Sequence, residues 1–274
     1  MLPPDASSAR AELPPREIGV GDLILTSAGA IADNFGTFLL VTVACVLPAS
    51  VGRIALSEWS VAEVQSAPWS PYGSAQVDLP SKAVLVAMIV GGLLLMLAGY
   101  VAQAALTHTT VEYLAGRRIG AKEALGRGML CVTTVFFVAI LSGILVFGGF
   151  LFCFIPGVIL LLGVYVSVPA AVMEGLGPIA AIRRSFVLMN GYRGTLLATL
   201  IIVFVAAYGL DFALKAAGGL DGAALQTLPT GRRAYFHLCT ITVNVSSATF
   251  MGALPAVLYA RIRGIEEGVD IEAL

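Results

Sequence analysis

Residues 166–194 read VSVPAAVMEGLGPIAAIRRSFVLMNGYRG, and this stretch decides the fold. An apolar helix ends there at Glu174-Gly175. The pair Gly177-Pro178 then starts a short second helix, because proline is favoured in the first helical turn. Asn190-Gly191 ends that helix, and another apolar run follows. The pattern predicts a helix that leaves a bilayer, a short amphipathic elbow, and a helix that re-enters.

The composition indicates an integral membrane protein. Of its 274 residues, 58% are hydrophobic and 12% are charged, whereas soluble domains carry about 25% charged residues. Several apolar runs reach the roughly 20 residues that cross a bilayer core. We therefore predict an all-α integral membrane bundle of six transmembrane helices with short amphipathic interfacial helices, the spans covering residues 36–52, 83–106, 129–147, 157–173, 195–212 and 235–260.

The segments between these spans complete the predicted organisation. Residues 53–82 and 216–233 are expected to be loops, and Gly148-Gly149 is expected to form a tight reversal. The three domains are a solvated N-terminal tail at 1–17 without the apolar core of a signal peptide, a six-span membrane domain at 18–264, and an acidic C-terminal tail at 265–274.

The charge distribution predicts the orientation and excludes one class of partner. Seventeen acidic residues against sixteen basic ones leave no net positive field, so nucleic acid is not an expected partner. Eleven basic residues fall on the side of both termini: Arg10, Arg16, Arg117, Arg118, Lys122, Arg127, Arg183, Arg184, Arg193, Arg261 and Arg263. The other side has five: Arg53, Lys82, Lys215, Arg232 and Arg233. The positive-inside rule then places both termini in the cytoplasm.

An internal repeat is also predicted. When Gly19, Gly120 and Gly177 are aligned, Arg127 and Arg184 coincide. Each unit would be a short interfacial helix that leads into a pair of spans. The bundle would then consist of three pseudo-repeated hairpins.

The elbow is the first candidate site, formed by Glu174, Arg183, Arg184 and Ser185. An apolar stripe of Ile179, Ile182, Phe186 and Met189 would face the membrane, with Arg184 turned away toward lipid phosphates. Glu174 could instead pair with Arg183 or Arg184. The elbow is therefore either an anionic headgroup or substrate site, or a structural turn whose charges set the depth in the membrane.

A polar stripe in the sixth span is the second candidate site. Thr240, Asn244 and Ser247 recur at helical spacing. Such a stripe either lines the cavity of a transporter or packs helices together through hydrogen bonds. Asp211 and Lys215, four residues apart near the end of the fifth span, are interpreted as a pair that anchors this span at the interface.

Signatures of enzymes are missing from the sequence. It has no HExxH, GxSxG or P-loop motif, and its four cysteines form no metal-ligand pattern. We therefore expect no catalytic residues, no metal and no cofactor. An enzyme that acts on lipids with carboxylates alone stays open as an alternative.

The elbow resembles a family of six-span bacterial membrane proteins, the glycerophosphoryl diester phosphodiesterase membrane-domain or YciC-like proteins. The matching residues are Pro156-Gly157, Glu174-Gly175, Ala181, Arg184-Ser185, Leu188, Gly191, and the segment from Tyr259 to Arg263. Tyr192-Arg193 stands where that pattern has a tryptophan. The resemblance implies a six-helix membrane domain in the bacterial inner membrane. It does not imply hydrolysis, because the chain has no phosphodiesterase domain.

Together these patterns predict a non-catalytic membrane module that contacts lipids or partner proteins through its elbows. The main alternative is a transporter of a small solute or lipid that uses the polar stripe of the sixth span.

Overall fold

A computed structural model describes residues 18–66, 82–219 and 229–268. These ranges are built from helices, connected by short turns, and contain no strand. The helices are α1 Val20–Asp33, α2 Phe35–Ser66, α3 Lys82–Leu114, α4 Ala121–Phe152, α5 Phe154–Gly163, α6 Ser167–Glu174, α7 Pro178–Leu188, α8 Arg193–Ala217 and α9 Thr230–Glu266.

Six of these segments are long and apolar enough to cross a membrane: α2, α3, α4, α5 with α6, α8 and α9. Large apolar side chains are exposed on the outside of the bundle at α4, as a surface that faces lipid requires. Phe147, Leu151 and Phe152 are 67%, 72% and 91% exposed, which water would penalise and hydrocarbon would not. The chain is therefore an all-α, multi-pass membrane protein, as predicted.

The reversal after the third span lies later than predicted. Gly148 and Gly149 are helical, and the chain turns at Cys153, whose φ and ψ are −169° and 157°. The role of Gly149 is close packing. A Cβ at this position would lie 3.0 Å from the Cα of Gly157, so the missing side chain lets α5 approach α4.

Several predicted boundaries were wrong because helices continue beyond the apolar runs. Residues 53–66 and 230–233 were expected to be loops but are helical. An apolar run measures the thickness of the hydrocarbon, whereas a helix ends at a breaker, and residues 53–66 contain neither glycine nor proline. Likewise α9 continues through Glu266, past the predicted start of the tail at residue 265. The rest of the predicted tails and loops (1–17, 67–81, 220–228 and 269–274) lies outside the described residues.

The fourth span is broken in its middle. After α5 ends at Gly163, the amide of Ser167 donates to the carbonyl of Val164 at 3.0 Å. A continuous helix would have directed that amide to the carbonyl of Gly163. The Gly163 carbonyl therefore needs another donor, and the hydroxyl of Ser185 on α7 donates to it at 2.7 Å.

The three aligned glycines occupy equivalent places. Gly19, Gly120 and Gly177 are the N-caps of α1, α4 and α7, with φ of −74°, −77° and −67° and ψ of 145°, 157° and 163°. Four residues further on, Leu23, Ala124 and Ala181 are all fully buried. The predicted register thus coincides with the start and the buried face of three helices.

Each of these three helices packs against the span that closes the preceding unit. The pairs are α4 with α3, α7 with α6, and α1 with α9, so the arrangement closes into a ring. An ion pair joins each couple: Arg127 to Glu112 at 2.6 Å, Arg184 to Glu174 at 3.0 Å, and Arg261 to Asp22 at 3.2 Å. All three pairs lie at one end of the bundle, which we call the elbow face.

Helix α9 provides the centre of the core next to the elbow face. Leu254, Val257, Leu258 and Ile262 are fully buried, in one cluster with α1, α5, α6 and α8 residues such as Leu23, Leu162, Ala170 and Leu196. The part of α9 near the elbow face is thus surrounded by protein.

The close contact between α3 and α4 can be tested with two glycines of α4. A Cβ at Gly128 would lie 2.7 Å from the carbonyl oxygen of Val101, whereas nothing lies within 4 Å of one at Gly126. Gly128→Ala should lower stability by about 1–3 kcal/mol because backbone must move. Gly126→Ala should be neutral or slightly stabilising. Thermal unfolding in mild detergent measures both, and equal melting temperatures would contradict the packing.

Candidate functional site

The elbow brings two carboxylates and two guanidinium groups together. Glu174 ends α6, and Gly175 follows at a φ of 62°, a conformation that glycine adopts without strain. The Arg184 Nε donates to both carboxylate oxygens of Glu174, at 3.0 and 3.2 Å. Its guanidinium also donates to Glu267. Arg184 therefore links the end of α6 to the end of α9.

Tyr259 and Arg263 complete this group. The Tyr259 hydroxyl donates to Glu174 at 2.8 Å, and Arg263 donates to that hydroxyl at 3.1 Å and to Glu267 at 2.8 Å. The five side chains, which we call the elbow clasp, contain two negative and two positive charges. The clasp is electrically balanced and joins α6, α7 and α9.

The predicted elbow residues have three different environments. Glu174 and Arg184 pair with each other, which was one of the two predicted alternatives. Ser185 is fully buried, and its hydroxyl donates to the carbonyl of Gly163. Arg183 is exposed and, within the described residues, forms no ion pair. Arg183 therefore stays a predicted contact for lipid phosphates, while Arg184 is already neutralised by protein.

The predicted apolar stripe of α7 was wrong as a single face. Ile179 is 74% exposed, whereas Met189 is fully buried. The buried face of α7 consists instead of Ala181, Ser185 and Leu188. Small residues on this face let α7 approach the bundle, and that close approach turns Arg184 toward the carboxylates rather than toward lipid.

The clasp shifts the pKa of two of its groups outside the spans. Hydrogen bonding from Arg184, opposed by partial burial, holds the pKa of Glu267 below its ordinary value of 4.5. Burial alone would lower the pKa of Arg184, but its bonds to Glu267 and Glu174 outweigh burial and raise it. The clasp therefore stabilises the charged forms of both residues.

A second site lies between α8 and α9, beside Ile54 of α2 and towards the end opposite the elbow face. A cavity of about 650 Å³ is found there, within the range of roughly 300–1,000 Å³ that is common for ligand pockets. Its polar lining combines residues from both helices: Asp211, Lys215, His237, Thr240, Asn244 and Ser247. All three residues of the predicted polar stripe thus line one cavity.

The mouth of this cavity contains a charged pair. The Lys215 Nζ lies 2.5 Å from Asp211 Oδ2 and 4.5 Å from the centroid of the Phe236 ring. The sequence predicted the pair as an interface anchor. It could not show that the pair shares a cavity with the polar stripe, because the two groups lie on different helices. The hairpin of α8 and α9 brings them together.

Deeper in the cavity the polar groups have fewer protein partners. Thr240 donates to the carbonyl of Phe236 at 3.0 Å, whereas the side chains of Asn244 and Ser247 make no hydrogen bond to the described part of the chain. Asn244 lies inside the 37-residue α9, about 21 Å from its first residue and about 33 Å from its last. A polar side chain at this depth normally has a partner, so both residues have hydrogen-bonding capacity to offer a ligand or water.

The cavity ends at Met251, whose sulfur accepts a weak hydrogen bond from Tyr165 at 3.8 Å. Beyond it Gly252 packs against Leu106, where a Cβ would lie 2.4 Å from a side-chain carbon. Pro255 follows and has no amide hydrogen to donate to the Met251 carbonyl. The α9 helix is therefore divided into an outer part that lines the cavity and an inner part that is packed.

Comparisons of the chain with families of proteins, with curated proteins and with solved structures find no match. Among the described residues, no group of three or more His, Cys, Asp or Glu side chains could hold a metal ion. The site must therefore be interpreted from its own geometry.

The bond between Ser185 and Gly163 can be tested by comparing two buried serines at equivalent places in the repeat. Ser185→Ala should cost about 1–3 kcal/mol, because it leaves a buried carbonyl without a donor. Ser27 is equally buried, but its hydroxyl has no partner among the described residues. Ser27→Ala should therefore be neutral or stabilising. Equal losses in thermal stability would show that the Ser185 bond has no special role.

The clasp also predicts a dependence of stability on pH. Because the folded protein lowers the pKa of Glu267 below 4.5, the stabilisation is complete above that pH and is lost as the pH falls through the folded pKa. The melting temperature of the wild type should therefore fall between pH 5 and pH 3 more than that of Glu267→Gln. Parallel curves for the two proteins would contradict a stabilising role of the Glu267 carboxylate.

Proposed function

We propose that this chain is a non-catalytic membrane module that binds a lipid molecule, and that the cavity between α8 and α9 is the binding site. One observation carries the proposal: Asn244 and Ser247, deep in a membrane span, direct polar groups without partners in the described chain into a cavity of ligand size. A bound polar group would satisfy them, as the low dielectric of a bilayer demands.

The walls of the cavity favour an amphiphile over a purely polar solute. Phe204 and Tyr208 line the cavity on α8 and are also 59% and 62% exposed on the described surface. The cavity is therefore open toward the acyl chains of the bilayer. It can take the polar part of a lipid while the chains of that lipid stay among their neighbours.

The elbow is not the lipid-binding cavity, and its residues have a structural role and a surface role instead. Arg184 is neutralised by Glu174 and Glu267, so its charge is not available to a headgroup. We propose that the clasp is architectural and that the exposed Arg183 contacts lipid phosphates at the surface. A partner protein on this face remains an alternative contact for Arg183.

A transporter of a lipid or small solute is the second candidate, and the division of α9 favours it. A change in the bend of α9 at Pro255 would move its packed inner part relative to the outer part that lines the cavity. A transporter must expose Asn244 alternately to the two sides. A binding module exposes it to one side.

We place the protein in the bacterial inner membrane with both termini in the cytoplasm. The excess of basic residues on that side supports this orientation. The resemblance of the elbow to the glycerophosphoryl diester phosphodiesterase membrane-domain family supports the bacterial membrane. In this orientation the cavity mouth at Asp211 and Lys215 faces the outer leaflet.

The proposal predicts that Asn244→Leu reduces retention of lipid. Native mass spectrometry of protein extracted in mild detergent should show bound phospholipid on the wild type. Loss of the buried hydrogen bond of the amide should weaken binding about tenfold, equivalent to about 1.4 kcal/mol. The matched control is Thr242→Leu, on the same helix but outside the cavity lining and exposed to lipid.

Two outcomes separate the candidates. If Asn244→Leu retains as much lipid as Thr242→Leu, the cavity is not the site, and Arg183→Ala then tests the elbow. If the thiol introduced by Asn244→Cys reacts with impermeant reagents from both sides of sealed vesicles, the transporter is favoured over the binding module.

A further inference from the structure

The charges at the cavity mouth indicate which headgroup the cavity takes. We infer that it selects a zwitterionic phospholipid with a primary ammonium group, of the phosphatidylethanolamine type. This inference rests on the proposed lipid-binding function of the cavity and identifies the class of lipid.

The charges that line the cavity are balanced. Asp211 and Lys215 contribute one negative and one positive charge to the cavity lining. Their side chains are largely shielded from solvent, with 25% of Asp211 and 22% of Lys215 exposed. A headgroup with a net negative charge would leave the Asp211 carboxylate facing a like charge. A zwitterion matches both groups at once, because complementary charges are needed where water is scarce.

The protein already holds an ammonium group in the place where the ligand ammonium would bind. The Lys215 Nζ contacts the Asp211 carboxylate and lies over the face of Phe236. A carboxylate beside an aromatic face is a favourable site for an alkylammonium ion. The side chain of Lys215 is a flexible alkyl stem, so this ammonium can leave and another can replace it.

The exchange keeps every charge paired. When the ligand ammonium binds Asp211 over Phe236, the released Lys215 turns to the phosphate of the same headgroup, which a short alkyl linker holds next to the ammonium. Asn244 and Ser247 then lie further along the cavity, where the ester groups of a lipid offer hydrogen-bond acceptors. The order of these groups along the cavity follows the order of groups in a phospholipid.

A primary ammonium is preferred over a quaternary one. It donates hydrogen bonds to Asp211 in the same way as Lys215 does, at 2.5 Å. A choline headgroup has no N–H and retains only its attraction to the aromatic face. The cavity should therefore rank ethanolamine lipids above choline lipids, and both above glycerol lipids with a net negative charge.

The test uses the full-length protein in nanodiscs that contain equal parts of phosphatidylethanolamine, phosphatidylcholine and phosphatidylglycerol, followed by native mass spectrometry. The wild type should retain phosphatidylethanolamine over phosphatidylglycerol by about tenfold, the ratio expected from one hydrogen bond to a charged group. Equal retention of the three lipids by the wild type would overturn the inference without any variant.

Two variants should move the selectivity in opposite directions. Asp211→Asn leaves Lys215 without its counter-charge and should shift the ratio toward phosphatidylglycerol. Lys215→Gln leaves the carboxylate alone and should shift the ratio further from phosphatidylglycerol. Arg232→Gln removes a positive charge near the same end of α9, outside the cavity lining, and should leave the ratio unchanged.

The outcomes distinguish this inference from the proposed function. If lipid is retained in an Asn244-dependent way but neither mouth variant alters the ratio, or both shift it in one direction, the headgroup inference is wrong and the lipid site stands. If retention does not depend on Asn244, the proposed function fails. A soluble glycerophosphoethanolamine that competes as well as the lipid would show that the ligand is a free headgroup, which also contradicts the inference.

Discussion

The hydrogen bond from Ser185 to the carbonyl of Gly163 is the interaction on which the elbow half of the structure depends. A bilayer offers no water to a backbone carbonyl, so a span can break only where protein supplies a donor. The break between α5 and α6 releases this carbonyl, and α7 must lie against it to bring the serine within 2.7 Å. Gly163 makes this approach possible, because a Cβ there would lie 2.3 Å from the Phe186 ring.

The position of α7 in turn determines the chemistry of the elbow face. Once Ser185 is buried, the neighbouring Arg184 is brought to the end of α6, where Glu174 accepts its hydrogen bonds. The clasp then includes Tyr259 and Arg263 of α9, so the last span is joined to the fourth. Related pairs join α4 to α3 and α1 to α9. A run of basic residues on a membrane protein can thus be structural, although the same residues also served to predict the orientation from the positive-inside rule.

The sequence was sufficient for the features that depend on composition and local pattern. Six spans followed from apolar runs, and the start of α7 followed from Gly177-Pro178. The apolar stripe of α7 was predicted to face the membrane as a whole, but Met189 at its end is buried in the bundle while Ile179 is exposed. The buried face could not be predicted by counting apolar residues, because it consists largely of the small residues Ala181 and Ser185. The cavity could not be predicted, because its charged pair and its polar stripe belong to different helices. Only the packing of α8 on α9 places Lys215 over Phe236.

The division of α9 explains why the cavity lies in one half of the bundle and not in the other. Toward the elbow face, Gly252 lets α3 approach closely and the residues from Ala253 to Ala260 are buried, so no space remains. Toward the opposite face, α9 has α8 as its neighbour, and polar residues replace the apolar ones that would fill the gap. The elbow clasp stabilises the packed half independently of the cavity. The cavity half is therefore free to carry polar groups that contribute nothing to packing, and this is the physical condition that a lipid-binding site in a membrane requires.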